Sequence, residues 1–276
     1  MKLGRRDDVF EYYAKRLAEL TPGKSGADIA NICNEAAFHA ARMDQKSVDQ
    51  ENFEYAIERV IAGLESTNNS LDPHERRIIA YHEAGHVIVN WMLDHTEPIL
   101  KISTRPRTNS PFGFKQEFPL DRKLQTNDQI FNKMCVLLGG RIAESIIFGR
   151  VTTGAEDDID KVTQIAYQQV VTFGMNENIG PISFPLYRQG DMTKKPYSDA
   201  LAQEIDQEVG RTLVDVHKTA TGILEAHRDK LDILADALLQ NEVLNYEDLV
   251  ELIGVSPHGD KMEKYYENRP QIGGLD

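Results

Sequence analysis

The chain has 276 residues, a formal net charge of -13 and a pI near 5.1, room for one large domain or two smaller ones with their own cores. An acidic balance without a basic stripe argues against nucleic acid as a partner, because phosphate recognition needs clustered Lys and Arg. No run approaches the ~20 consecutive apolar residues of a membrane span and no signal-peptide core is seen, so the chain as given is expected to be soluble; its abrupt start reads as a piece of a longer protein.

Apolar Val9, Phe10, Tyr13, Leu17 and Leu20 recur at helical spacing, predicting an amphipathic helix over 7–20 that Thr21-Pro22-Gly23 ends. Ser25, with Asp28 three residues later, makes a variant capping box for a second helix reaching Met43. A third runs from about Gln50 to Ala62. Together they form a small helical unit ending near Ser66, after which the polar run 66–70 reads as a linker. Cys33 in the second helix and Cys135 further on lie in apolar helical patterns and read as small buried side chains in a reducing compartment.

Asp72-Pro73-His74-Glu75 is a strong helix start, with Asp as N-cap, Pro at the first position and Glu at the third. It phases an apolar run from Ile78 to Leu93 that contains Tyr81-His82-Glu83-Ala84-Gly85-His86. On a helix, His82 and His86 lie one turn apart and project from one face, where they can hold a single zinc ion. Glu83 beside them is placed to take a proton from water rather than to bind metal. Two satisfied core histidines are the bland alternative. Both sides of this helix are apolar, so it should be buried on most faces, and Gly85 suggests close approach of another segment.

Ile99 to Ser103 reads as a strand, and 112–118 as a second, flanked by Pro111 and Pro119 and therefore an edge. That edge can pair with an extended peptide, or it is merely blunted by Lys and Pro. Thr126-Asn127-Asp128-Gln129 opens a helix to Phe148 containing Gly139-Gly140, which permits tight helix packing. Glu144 on its apolar face either orients a ligand histidine or is a solvated surface residue. Thr152 to Asp158 starts a helix running to about Phe173, whose first-turn acids suit the helix dipole. A catalytic zinc takes three protein ligands, and a third His six residues after the second is ruled out by Met92. Long helices follow over about 200–226 and 229–240, then 246–253 with Asn245 as cap. His217 and His227 are too far apart to chelate together. Beyond Ser256 the chain reads as a tail.

These motifs resemble those of the FtsH family of membrane-anchored AAA metalloproteases, and in detail its mitochondrial matrix-facing, paraplegin-like branch. Residues 25–37 resemble the end of the family's ATPase lid, 81–86 its peptidase motif, 138–144 the following helix and 153–158 the segment with the third ligand. The resemblance makes Asp158 that ligand, with Asp157 the nearest alternative. Trp91-Met92-Leu93, the 106–109 turn, the Asn245-Tyr246-Glu247-Asp248 run and Pro257-His258-Gly259 are the branch-like features. The phosphate-binding and magnesium-binding motifs of the ATPase core and the membrane spans have no counterpart, and the run before the edge strand departs from the bacterial pattern.

The resulting expectation is a mainly α chain: an incomplete helical AAA lid over 1–66, a linker over 67–71, a mostly helical zinc peptidase domain with a small β-sheet over 72–256, and a tail over 257–276. Its function would be zinc-dependent endoproteolysis with Glu83 as catalytic base and Zn2+ on His82, His86 and Asp158. ATP and Mg2+ would be needed only by the full-length protein. The family implies unfolded or membrane-extracted polypeptides as substrates, a homo- or hetero-hexamer, and the matrix side of the mitochondrial inner membrane. The rival reading is a non-proteolytic assembly scaffold with an inert site.

Overall fold

The computed structural model describes residues 7–21, 24–63, 71–106, 113–117, 124–184 and 196–263. Three helices come first: α1 (Asp7–Leu20), α2 (Gly26–Arg42) and α3 (Gln50–Ala62). Ser25 and Asp28 form the expected capping box on α2, and Asp49 with Asn52 forms another on α3. Leu17, Leu20, Ile32, Ala36, Phe53, Ala56 and Ile57 make a core of their own. Cys33 departs from expectation: it is exposed, whereas Cys135 is buried. Ile32 and Ala36 fill the inner face of α2, and position 33 turns away from it. Most of the expected linker, 67–70, lies outside the described residues.

The second core is organised around α4 (Pro73–Met92), which Asp72, Pro73 and Glu75 start as the sequence indicates. Thirteen consecutive residues, Ile79 to Trp91, are buried, so the helix is enclosed on every face. Its main neighbours are α5 (Asn127–Phe148) and α8 (Arg228–Asn241), with α7 (Asp199–Ala226) packed on α5. The close approach expected at Gly85 is present. A Cβ there would strike the Gly139 carbonyl and come 2.6 Å from the Ala143 Cβ, and one on Gly139 would come 2.7 Å from the Gly85 carbonyl oxygen. Two glycines facing each other thus let α4 and α5 touch backbone to backbone, which sets the depth of everything α4 carries.

A three-stranded antiparallel sheet closes one side in the order β2-β1-β3, with β1 (Ile99–Ser103) central, β2 (Phe114–Glu117) on one edge and β3 (Val243–Asn245) on the other. β1 pairs Ser103 with Phe114 and Ile102 with Lys115. The flanking residues 112 and 118 of the expected edge strand lie outside the described residues. β3 leads into α9 (Tyr246–Ile253). Before it, Glu242 ends α8 in the left-handed region at φ 60, a conformation that costs a non-glycine residue about 1–2 kcal/mol. Its carboxylate is gripped by Arg76 at 2.5 Å and Arg105 at 3.1 Å, and its carbonyl accepts from the Thr104 amide at 2.9 Å. Those bonds tie the start of α4 to the end of β1.

The helix expected from Thr152 to Phe173 is three segments: a 3-10 turn over Thr153–Ala155, α6 (Glu156–Tyr167) and a π-turn over Gln168–Thr172. The expected tail is packed down in its first part, since Met262 is buried and Lys261, His258 and Ser256 all bond to the end of α4. Residues 264–276 lie outside the described residues. No described helix is long and apolar enough to cross a membrane.

Candidate metal centre

α4 supplies His82 and His86 one turn apart, and α6 supplies Asp158 from its first turn. Their ligand atoms converge. His86 Nε2 lies 3.1 Å from His82 Nε2 and 3.1 Å from Asp158 Oδ2, and His82 Nε2 lies 3.3 Å from the same oxygen. Tetrahedral coordination at ~2.0–2.1 Å places ligand atoms about 3.3 Å apart, so this triangle matches one face of a zinc tetrahedron. Asp157 points elsewhere: it is exposed and ion-paired with Lys161 at 2.5 Å.

The hydrogen bonds behind the rings fix what those atoms are. His86 Nδ1 donates to the Val136 carbonyl at 2.7 Å, which can only accept, and His82 Nδ1 donates to Glu144 Oε1 at 2.7 Å. Neutral imidazoles therefore turn both Nε2 lone pairs toward a carboxylate, three electron-pair donors with no hydrogen among them. Without metal, a proton relieves the conflict. Burial disfavours the charged His82 ring, but hydrogen bonds with Asp158 and Glu144 outweigh it and raise its pKa to about 10. Burial would likewise raise Asp158, yet its bonds with His82 and His86 hold its carboxyl well below the usual range. A divalent cation satisfies all three atoms together. The two rings fit because residue 140 is glycine: a Cβ there would lie 2.6 Å from both Nε2 atoms and from His82 Cε1. Donor set and spacing both fit zinc.

Glu144, left open between two roles by the sequence, is 1% exposed. Besides His82 it accepts from the Thr152 amide at 2.7 Å, and Thr152 in turn caps the turn that leads into α6 by accepting from Gly154 N at 3.2 Å. One carboxylate thus links the helix bearing the histidines to the segment that delivers Asp158. Its own pKa is lowered, the His82 contacts overcoming burial.

Glu83 is buried beside the histidines, and a Cβ on Gly113 would strike its Oε1. Gly113 has φ +150, so glycine is needed there both for backbone conformation and for room. Sequence reasoning missed Gly113 and its neighbour Lys115. Lys115 pairs with Glu117 at 2.8 Å. Burial would lower its pKa, but Glu117 first, then Glu83 and Asp158, raise it. The available signal was the two-residue period of a strand, which puts 113, 115 and 117 on one face. His217 and His227 play no part in the cluster; the latter donates from Nδ1 to the Ile223 carbonyl at 2.9 Å.

A helix-borne histidine pair, a carboxylate oxygen converging on it and an adjacent glutamate, set in a mainly helical fold with a small sheet, are the parts from which a metal-dependent peptidase site is built. Residues 69–252 match peptidase family M41, and the chain belongs to that family. Residues 14–55 match the AAA+ lid domain. Among similar proteins are the mitochondrial inner membrane m-AAA protease component AFG3L2 of Mus musculus, 48% identical over 95% of this chain and 33% of its own length, and the ATP-dependent zinc metalloprotease FtsH of Rhodothermus marinus, 48% identical over 88% of this chain and 35% of its own. The mitochondrial ATP-dependent zinc metalloprotease FTSH 3 of Oryza sativa is 44% identical over 93% of this chain and 32% of its own. The chain spans about a third of the length of these relatives.

Proposed function

We propose that this chain is the proteolytic part of an ATP-dependent zinc metalloprotease, joined to the end of its ATPase lid, and that it cleaves unfolded or membrane-extracted polypeptides. The observation that carries the reading is the convergence of His82 Nε2, His86 Nε2 and Asp158 Oδ2 within 3.1–3.3 Å of one another. These residues would hold the metal. When bound, zinc supplies Lewis acidity that polarises a carbonyl and acidifies water toward a pKa of ~7.

The chain's own groups do the rest. Glu144 and the Val136 carbonyl hold the two imidazoles as Nε2 lone-pair donors. Glu83, packed against Gly113, takes a proton from the attacking water and returns it to the leaving amine. β2 is the outer strand of the described sheet and Gly113, just before it, meets Glu83, so a substrate added as a further strand would bring its backbone near the base. Lys115, charged and on the same face as Gly113, balances the acids there.

The division into a lid over 1–66, a linker over 67–71 and a peptidase domain over 72–256 is part of this reading, supported by two separate cores. By likeness to the relatives, the full-length protein would use ATP with Mg2+, assemble as a hexamer and face the matrix from the mitochondrial inner membrane. Glu83→Gln tests the chemistry: the variant should bind one zinc and melt like the parent while losing cleavage of an unfolded protein such as casein. Turnover retained in that variant would refute the role of Glu83.

A further inference from the structure

The carboxyl end of α4 is finished by residues far along the chain. The Val89 carbonyl accepts from the Leu93 amide at 3.2 Å. Each of the next four carbonyls accepts from a side chain between 256 and 261: Asn90 from Lys261 Nζ at 2.5 Å, Trp91 from Ser256 Oγ at 2.8 Å, Met92 from His258 Nε2 at 3.0 Å and Leu93 from Lys261 Nζ at 2.8 Å. A helix end leaves such carbonyls without partners, and a buried one needs them supplied.

Lys261 is central to this arrangement. Its third contact is Thr96 Oγ1 at 2.5 Å, so three acceptors surround an ammonium with three donors. The last turn of α4 has no basic residue of its own, which makes Lys261 the cation at the negative end of the helix dipole. Burial pulls its pKa down to about 8 against the opposing influence of Asp94 and Glu117, so a charge has been withdrawn from water to make these bonds. The segment is itself pinned: Asp260 Oδ1 accepts from Tyr246 Oη at 2.6 Å and from the Met262 amide at 2.8 Å, and Trp91 Nε1 donates to the Gly254 carbonyl at 3.0 Å.

Asn90 lies one helical turn beyond His86, where an α-helix bonds its amide to the His86 carbonyl. Fraying at Asn90 therefore reaches the backbone of His86 directly. We propose that Lys261 is a positioning residue of the metal centre: by capping α4 one turn past His86, it keeps that imidazole in register with His82 and Asp158 without touching any of them. The inference rests on the metal-site reading above.

The test compares Lys261→Met and Lys261→Gln with the parent chain. Zinc affinity is measured by chelator competition, amide exchange across residues 83–92, and kcat and KM on a fluorogenic peptide. Lys261→Met should bind zinc about ten-fold more weakly, within the range for lost outer-shell support, exchange faster in the last two turns of α4, and lose kcat with KM nearly unchanged. Lys261→Gln, which keeps two donors, should fall between and carries the comparison if the Met variant does not fold. A folded variant with parental zinc affinity and kcat overturns the proposal, whatever its melting temperature. Zinc bound by the parent without peptide cleavage would refute the peptidase reading and leave this proposal to the affinity and exchange data; a parent that binds no zinc would refute both.

Discussion

Gly140→Ala is the sharpest perturbation of the metal centre, because a single methyl group would press on both ligand imidazoles. That Cβ would lie 2.6 Å from His82 Nε2, His82 Cε1 and His86 Nε2, where ordinary contact begins at 3.4 Å. About 0.8 Å of movement is therefore needed, and neither ring is free to give it. His82 is held by Glu144 and His86 by the Val136 carbonyl, each at 2.7 Å. Metal–ligand distances tolerate only ~0.2 Å, so zinc affinity should fall by roughly 100-fold or more, the upper end of what disturbed ligand support costs. The fold should suffer much less. Overpacking costs about 1–3 kcal/mol, and alanine recovers about 1 kcal/mol of helix propensity, leaving a loss of ~0–2 kcal/mol and a melting shift of a few degrees. Chelator competition and a thermal melt of the metal-free chain read the two quantities separately. Parental zinc affinity in Gly140→Ala would show that the placement of these two rings does not set metal binding.

Gly113→Ala should do the opposite, keeping zinc while losing most peptide cleavage, because its methyl group meets the Glu83 carboxylate rather than the ligands; a zinc-free variant would refute that separation. Asp158→Ala should lose the metal and Asp157→Ala should keep it, since Asp157 is exposed and paired with Lys161; the two zinc contents decide it. Zinc must displace the His82 proton below the raised pKa of about 10, so binding near pH 7 should release about one proton per ion, and affinity should rise about ten-fold per pH unit. In the metal-free chain the sign runs the other way. The His82 proton stabilises the fold fully below pH ~6.5, the unfolded value, and that contribution is lost as pH rises through about 10. Calorimetry in buffers of different ionisation enthalpy measures the proton count, and a count of zero at pH 7 would contradict it.

Most helix limits were legible because the chain marks its own starts. Ser25, Asp72, Thr126 and Asn245 each cap a helix where local chemistry indicates. What escaped was set by tertiary contact. β3 is three residues long, too short for any periodicity, and exists because β1 offers an edge. The π-turn after α6 leaves no pattern in Gln168–Thr172 that distinguishes it from α-helix. Cys33 was misplaced because an apolar helical pattern gives a face only approximately, and one step of 100° separates Ile32, with no exposure, from solvent.

The candidate site shows the same division at finer scale. His82, Glu83 and His86 could be read together because one helical turn relates them, and helical geometry is local. Asp158 could not be derived that way: what brings its oxygen within 3.1 Å of His86 is the crossing of α4 and α5 through Gly85 and Gly139, and the bond from the Thr152 amide to Glu144. Only resemblance supplied it in advance. Each of those determinants is a glycine or a second carboxylate, residues whose importance lies in what approaches them. Gly140 is the extreme case: its contribution is an absent side chain, and its value becomes visible only when both imidazoles are seen to pack against the backbone where a side chain would be.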